Sequence, residues 1–284
     1  MRNRLTSVAG ALCLASLITH GLPAHAIEYR SIDGYGNNQV SPSWGSAGVE
    51  LLRMADADYR GDSAYGAAID DRGRLSPRAI SNLLSVQTSN MPNARGMTSG
   101  TWQWGQFLDH DIDLTPEADP QEPAFVAVPL GDPAFDPFGT GAVVLPFLRS
   151  AWVAGSVPRQ QQQAITGWID ASNVYGSDAV RAGVLRTLDG SGRLATSAGD
   201  LLPFNTAGLP NAGGTDAGLF LAGDVRANEQ VGLTSLHTLF VREHNRLVDE
   251  LKEDHPDWDG ETLYQQAKAL VEGEIQAITY NEFL

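Results

Sequence analysis

Two long stretches of the chain repeat apolar residues with the period of an α-helix. Leu236, Phe240, Leu247 and Leu251 mark one face of a helix from about Ser235 to Glu253, with Thr234 placed to cap it. Asp259 opens a second helix, whose buried side is expected to carry Leu263, Ala267, Leu270, Val271, Ile275 and Ile278. A third segment, Trp102 to Ile112, is interrupted only by Gly105. Its Trp104, Phe107, Leu108 and Ile112 fall at helical spacing, and Pro116 and Pro120 close it. Leu51, Leu52 and Met54 suggest a further short helix.

Strand-like alternation is scarce. Between the helices lie turn-forming runs: Asp33 to Asn38, Ser41 to Ser43, the polar stretch Gln87 to Ser99, Pro129 to Gly141, and Thr187 to Gly214. The pattern predicts a mainly α fold with long ordered loops. No internal repeat or low-complexity tract is present, and the sequence runs to Leu284 through an apolar segment without a terminal cap.

Of 284 residues, 42% are hydrophobic and 19% charged, an ordinary globular composition. The formal charge of −15 argues against nucleic acid and against an anionic membrane surface, since both need a basic footprint. The first 26 residues have the form of an export signal. Arg2 and Arg4 precede an apolar run from Val8 to Ile18, too short to span a bilayer, and Ala24-His25-Ala26 reads as a cleavage site. The mature chain is therefore expected from Ile27 to Leu284, secreted or periplasmic through a bacterial route, with no membrane anchor. Its single cysteine, Cys13, lies inside the signal, so no disulfide or thiolate metal site is expected.

Four clusters could carry chemistry. On a helix, Gln106 and His110 share a face with Asp109 alongside, while Asp111 sits about 100° further round and can serve a different partner. Ionisable groups inside an apolar helix need partners, and spacing leaves metal ligation and acid–base work equally open. In Thr166 to Ser172, alternate residues of an extended loop place the oxygens of Thr166, Asp170 and Ser172, with the Trp168 carbonyl, toward one point. Hard oxygens of this kind suit calcium. Arg226 and Glu229 lie one helical turn apart, the spacing of a surface ion pair. His237 and His244, with Glu243, admit a metal-dependent hydrolase, although buried structural histidines explain them as well. The tripeptide Arg60-Gly61-Asp62 is a chance match to an adhesion motif.

Taken in order along the chain, these blocks resemble the animal-type haem peroxidase family. Trp104-Gly105-Gln106-Phe107-Leu108-Asp109-His110-Asp111-Ile112 resembles its distal helix. Asp33-Gly34, Gly131-Asp132-Pro133, Ile169 to Ser177, Ala222 to Arg226, Arg242 to Leu247 and Ile278-Thr279-Tyr280 continue the likeness. The peroxidasin-like branch found in bacteria is the nearest in character. The resemblance implies a haem b enzyme that uses H2O2 to oxidise a small organic or halide donor. It implies His110 as distal acid–base, Arg226 as the stabiliser of charge during O–O cleavage, and Gln106 as the residue positioning distal water or halide. Asp109 and Glu229 match the carboxylates that form haem esters in mammalian members. Asp111, Thr166, Trp168, Asp170 and Ser172 match the calcium loop, and His237 and His244 become helix residues away from the iron. Gln230 departs from the methionine that some members link to haem, so that link and strong chloride oxidation are not expected. The proximal histidine of the family and its paired asparagine match no residue here. The chain is thus expected to be the N-terminal, distal part of such a domain and inactive or weak alone. A non-catalytic calcium-binding adhesive or structural module on the same scaffold is the alternative.

Overall fold

The computed structural model describes residues 29–57 and 75–284. The export signal and Arg60-Gly61-Asp62 lie outside the described residues. Within them the fold is mainly helical: α1 (Pro77–Leu84), α2 (Gly100–Ile112), α3 (Ser172–Tyr175), α4 (Ala179–Val184), α5 (Val231–Asp254) and α6 (Gly260–Ile278), followed by a π-helical turn over Thr279–Phe283. The strands β1 (Val126–Ala127) and β2 (Val144–Leu145) pair antiparallel, with Val126 opposite Leu145. No helix among the described residues is long and apolar enough to cross a membrane.

Helices α5 and α6 form a hairpin that supplies most of the core. Leu233, Phe240, Val241, Leu247 and Val248 of α5 are buried with Leu263, Ala267, Val271 and Ile275 of α6. Asp259 caps α6 by accepting from the Thr262 amide at 2.8 Å. Helix α2 joins this core through Phe107, which stacks on Phe240 with ring centroids 5.3 Å apart. That packing decides which face of α2 turns inward, and so where His110 and Asp111 go.

Several expectations need correction. Helix α5 begins at Val231, four residues before the expected start, because the Gln230 carboxamide caps it by accepting from the Gly232 amide at 2.7 Å. Thr234 instead turns its hydroxyl back to the Ala227 and Gln230 carbonyls. Leu51, Leu52 and Met54 form no helix. That backbone lies extended against residues 161–163, with Leu51 N–H donating to the Gln161 carbonyl at 3.0 Å. Leu270 is 46% exposed, because α6 buries an ion pair between Lys268 and Glu272 that rotates its inner stripe away. Helix α1 was not anticipated, although Ser76-Pro77, a hydroxyl cap before a proline at the first helical position, marks its start.

His244 ties the long loop to α5. Its Nδ1 lies 2.9 Å from the Tyr175 hydroxyl and its Nε2 3.0 Å from the Gly192 carbonyl. Burial pushes its pKa down to about 4. The folded protein therefore resists a proton that the unfolded chain accepts near pH 6.5. This contribution to stability is complete above that pH and is lost as pH falls toward 4, by up to about 3 kcal/mol. Thermal melts of wild type and His244→Gln between pH 7.5 and 4.5 should show the wild type losing stability more steeply. Parallel pH profiles would contradict this account.

Candidate functional site

The chemistry-bearing residues collect around α2. Ser99 opens this helix without a side-chain cap, and Phe107 and Leu108 bury one side of it. His110 follows on the inner side and is 4% exposed. Its Nδ1 has no hydrogen-bond partner; it stands 3.7 Å from Asp224 Oδ1, and its Nε2 stands 3.9 Å from Glu229 Oε2. Burial and the nearby Arg226 charge lower its pKa to about 4. The imidazole is therefore neutral at physiological pH and able to take a proton.

Arg226 does not pair with Glu229, as one helical turn would suggest. Residues 225–228 form a turn rather than a helix. The Arg226 guanidinium grips Asp224 through Nε and Nη2, each at 2.9 Å, and Nη2 also donates to the Asp113 carbonyl at the end of α2, at 2.8 Å. Asp224 is fully buried at its side chain, and its amide donates to the Asn173 carbonyl at 3.0 Å. Glu229 turns instead to Gln106, whose Nε2 donates to Oε2 at 3.1 Å. Asp109 is exposed and hydrogen-bonds with Asp113. His110, Gln106, Arg226 and Glu229 therefore share one region.

The other side of α2 carries Asp111, which is wholly buried. Its carboxylate accepts from the amides of Ala171 and Asn173, both at 3.1 Å, and from the Ser172 hydroxyl at 2.9 Å. These groups start α3, so Asp111 acts as its cap from another helix. Asp170 accepts from the Thr166 hydroxyl at 2.8 Å and from the Ser172 amide at 3.1 Å. The oxygens converge through bends, with Ala171 in the left-handed region at φ 59°, rather than through strand alternation. Burial, and for Asp111 the neighbouring Asp170 charge, push both carboxyls above their ordinary range. The Trp168 ring packs so closely on Gly45 that a Cβ there would lie 2.4 Å from its Nε1.

Two residues escaped sequence reasoning. Asn173 binds the Phe107 carbonyl through Nδ2 at 2.8 Å, joining α3 to α2. Gly223 lets the Asp224 turn lie flat on α3, for a Cβ there would meet the Ser172 carbonyl oxygen at 2.3 Å. The amide nitrogens of Tyr175 and Gly176 lie almost as near, and all three atoms are backbone that cannot swing away. Gly223→Ala should cost about 3 kcal/mol and displace Asp224 with Arg226, a loss that chemical denaturation would measure.

The hydrolase reading finds no geometry. His237 Nδ1 faces the Leu233 carbonyl at 2.9 Å beneath the Phe107 ring, and His244 is bound at both nitrogens. Among the described residues no three His, Cys, Asp or Glu side chains gather to hold a metal.

A sequence model described as "Animal haem peroxidase" matches residues 29–284. The chain belongs to the animal haem peroxidase family. Among curated members of this peroxidase family, a peroxidasin homolog of Mus musculus is 36% identical over 90% of this chain and 20% of its own length. Lactoperoxidase of Mesocricetus auratus is 33% identical over 99% of this chain and 46% of its own, and human myeloperoxidase 35% over 90% and 39%. The chain thus spans less than half the length of these relatives. Peroxidase A of Dictyostelium discoideum superposes with a TM-score of 0.76 at 29% identity, over 90% of this chain and 52% of that one. A fatty acid α-dioxygenase of Arabidopsis thaliana, 24% identical with a TM-score of 0.65, shares the fold.

The donor set fits haem on one face and a hard cation on the other. On one side of α2 lie a neutral imidazole, an amide, an anchored guanidinium and an exposed carboxylate, Glu229. Behind the helix, two buried carboxylates lie with two hydroxyls and no cationic side chain hydrogen-bonded to them. Of the other described histidines, His237 and His244 are enclosed in the core and His255 stacks on Trp258 at 3.9 Å.

Proposed function

We propose that this chain carries the distal site of an exported haem peroxidase that uses H2O2 to oxidise small organic or halide donors. The observation that carries the reading is the neutral, buried imidazole of His110 with Gln106, Arg226 and Glu229 around it. Haem, when bound, would supply the iron chemistry that divides peroxide. Asp109 and Glu229 would hold it at its edge, as ester or hydrogen-bonding partners.

The chain's own residues do the following. His110 Nε2 accepts the proton from one peroxide oxygen and returns it to the other, so that the second leaves as water. Arg226, fixed by Asp224 and by the α2 terminus, stabilises the negative charge that develops as the O–O bond stretches. Gln106 orients water, peroxide or halide beside His110. Asp111, Thr166, Asp170, Ser172 and the Trp168 carbonyl would bind calcium, which would brace the helix that carries His110. The N-terminal signal pattern supports export, and the acidic charge speaks against nucleic acid.

Expression of the intact protein with hemin tests this reading. A Soret band and H2O2-dependent oxidation of a phenolic dye are expected. Calcium-dependent stabilisation without haem uptake would favour the calcium-binding structural module instead.

A further inference from the structure

We propose that Gln230 is a positioning residue, which fixes the direction in which the Gln106 carboxamide points and holds its NH2 group toward the Glu229 carboxylate, which stands beside His110. The inference rests on the distal-site reading above and deepens it.

Glutamine amides can usually be turned end for end. This one cannot, because the chain of hydrogen bonds is anchored at both ends by groups with one possible role. At one end the Gly232 backbone N–H can only donate, and it gives to Gln230 Oε1 at 2.7 Å. The Gln230 NH2 group must then face the other way, and it donates to Gln106 Oε1 at 3.1 Å. With its carbonyl occupied, Gln106 directs Nε2 to the Glu229 carboxylate, which can only accept, at 3.1 Å. Glu229 Oε2 in turn stands 3.9 Å from His110 Nε2. The series begins at the N-terminus of α5, where amide dipoles already favour this polarity, and each bond strengthens the next.

Gln103 reinforces it from the preceding turn of α2. Its Oε1 accepts from Gln230 Nε2 at 2.6 Å and its Nε2 donates back at 3.4 Å, a cyclic amide pair. Gly232 makes room, since a Cβ there would sit 2.5 Å from the Gln103 carboxamide. The outcome is a distal amide that binds hydrogen-bond acceptors, such as a peroxide oxygen or a halide ion.

Gln230→Glu separates polarity from packing. The carboxylate keeps the Gly232 cap but cannot donate, so Gln106 must reverse and leave Glu229. Gln230→Leu removes both links. In 1H–15N spectra of the haem-free protein, the Gln106 carboxamide is identified by its loss in Gln106→Leu. It should be displaced from free glutamine in wild type, move to a new position in Gln230→Glu, and return to the free position in Gln230→Leu. Circular dichroism should show Gln230→Glu folded as wild type. In the haem-loaded intact protein, Gln230→Glu should lower kcat/KM for H2O2 on the order of tenfold while KM for the phenolic donor is unchanged. An identical Gln106 signal in all three forms, or an unchanged kcat/KM in Gln230→Glu, overturns the inference. A signal that moves as expected while Gln106→Leu and His110→Ala retain full turnover upholds the amide series and removes the distal roles assigned to Gln106 and His110 instead.

Discussion

His110→Ala is expected to lower H2O2-dependent oxidation by the haem-loaded protein by about 10²–10⁴-fold, the usual contribution of a positioned acid–base group. The size of the effect follows from its surroundings. Burial and Arg226 hold the imidazole neutral, with a pKa near 4, so in wild type it is competent as a base across the neutral range. Two of its neighbours cannot replace it: Gln106 does not titrate, and His237 is sealed beneath Phe107. The substitution leaves the core intact, because the packing of α2 comes from Phe107 and Leu108. Steady-state turnover of a phenolic dye, with circular dichroism to verify folding, checks both parts. Unaltered turnover in a folded His110→Ala protein would remove the assigned role.

The second large effect concerns calcium. Two buried carboxylates, Asp111 and Asp170, repel each other, and a divalent cation would convert that repulsion into attraction. At a free concentration a hundredfold above the dissociation constant, calcium should stabilise the protein by about 2.7 kcal/mol. For a chain of this size that is roughly 5–10 °C in melting temperature. Asp170→Asn should abolish the response and raise the melting temperature of the calcium-free protein. Its amide oxygen can still accept from Thr166 and the Ser172 amide, while one buried charge is gone. Asp111→Asn is a worse mimic, because both carboxylate oxygens accept and an amide nitrogen would face an N–H. Differential scanning calorimetry with calcium and with a chelator decides the matter. An equal calcium response in wild type and Asp170→Asn would dismiss the site.

What the sequence made legible follows from range. The helical periods of α2, α5 and α6 are local, and so is the i, i+4 spacing that puts Gln106 and His110 together. The family likeness was legible for the same reason: its blocks are short runs of local chemistry. Pairings across the chain were not. Asp224 meets His110 and Arg226 because Gly223 allows a turn to lie on α3, and nothing near residue 224 announces this. The spacing of Arg226 and Glu229 misled because it presumes a helix where the chain makes a turn. Lys268 and Glu272 misled in the opposite sense: charged residues four apart usually face solvent, yet these are buried and shift the inner face of α6. Gln230 looked like a mere departure from the family pattern, and only its distances show it as the hub of an amide series.

The most direct measurement is a crystal structure of the intact protein grown with hemin and calcium. The account predicts His110 Nε2 directed toward the iron across the distal cleft without ligating it, and a calcium ion between Asp111 and Asp170 behind the same helix. An imidazole turned into solvent, or haem bound on a face of the protein away from α2, would contradict it.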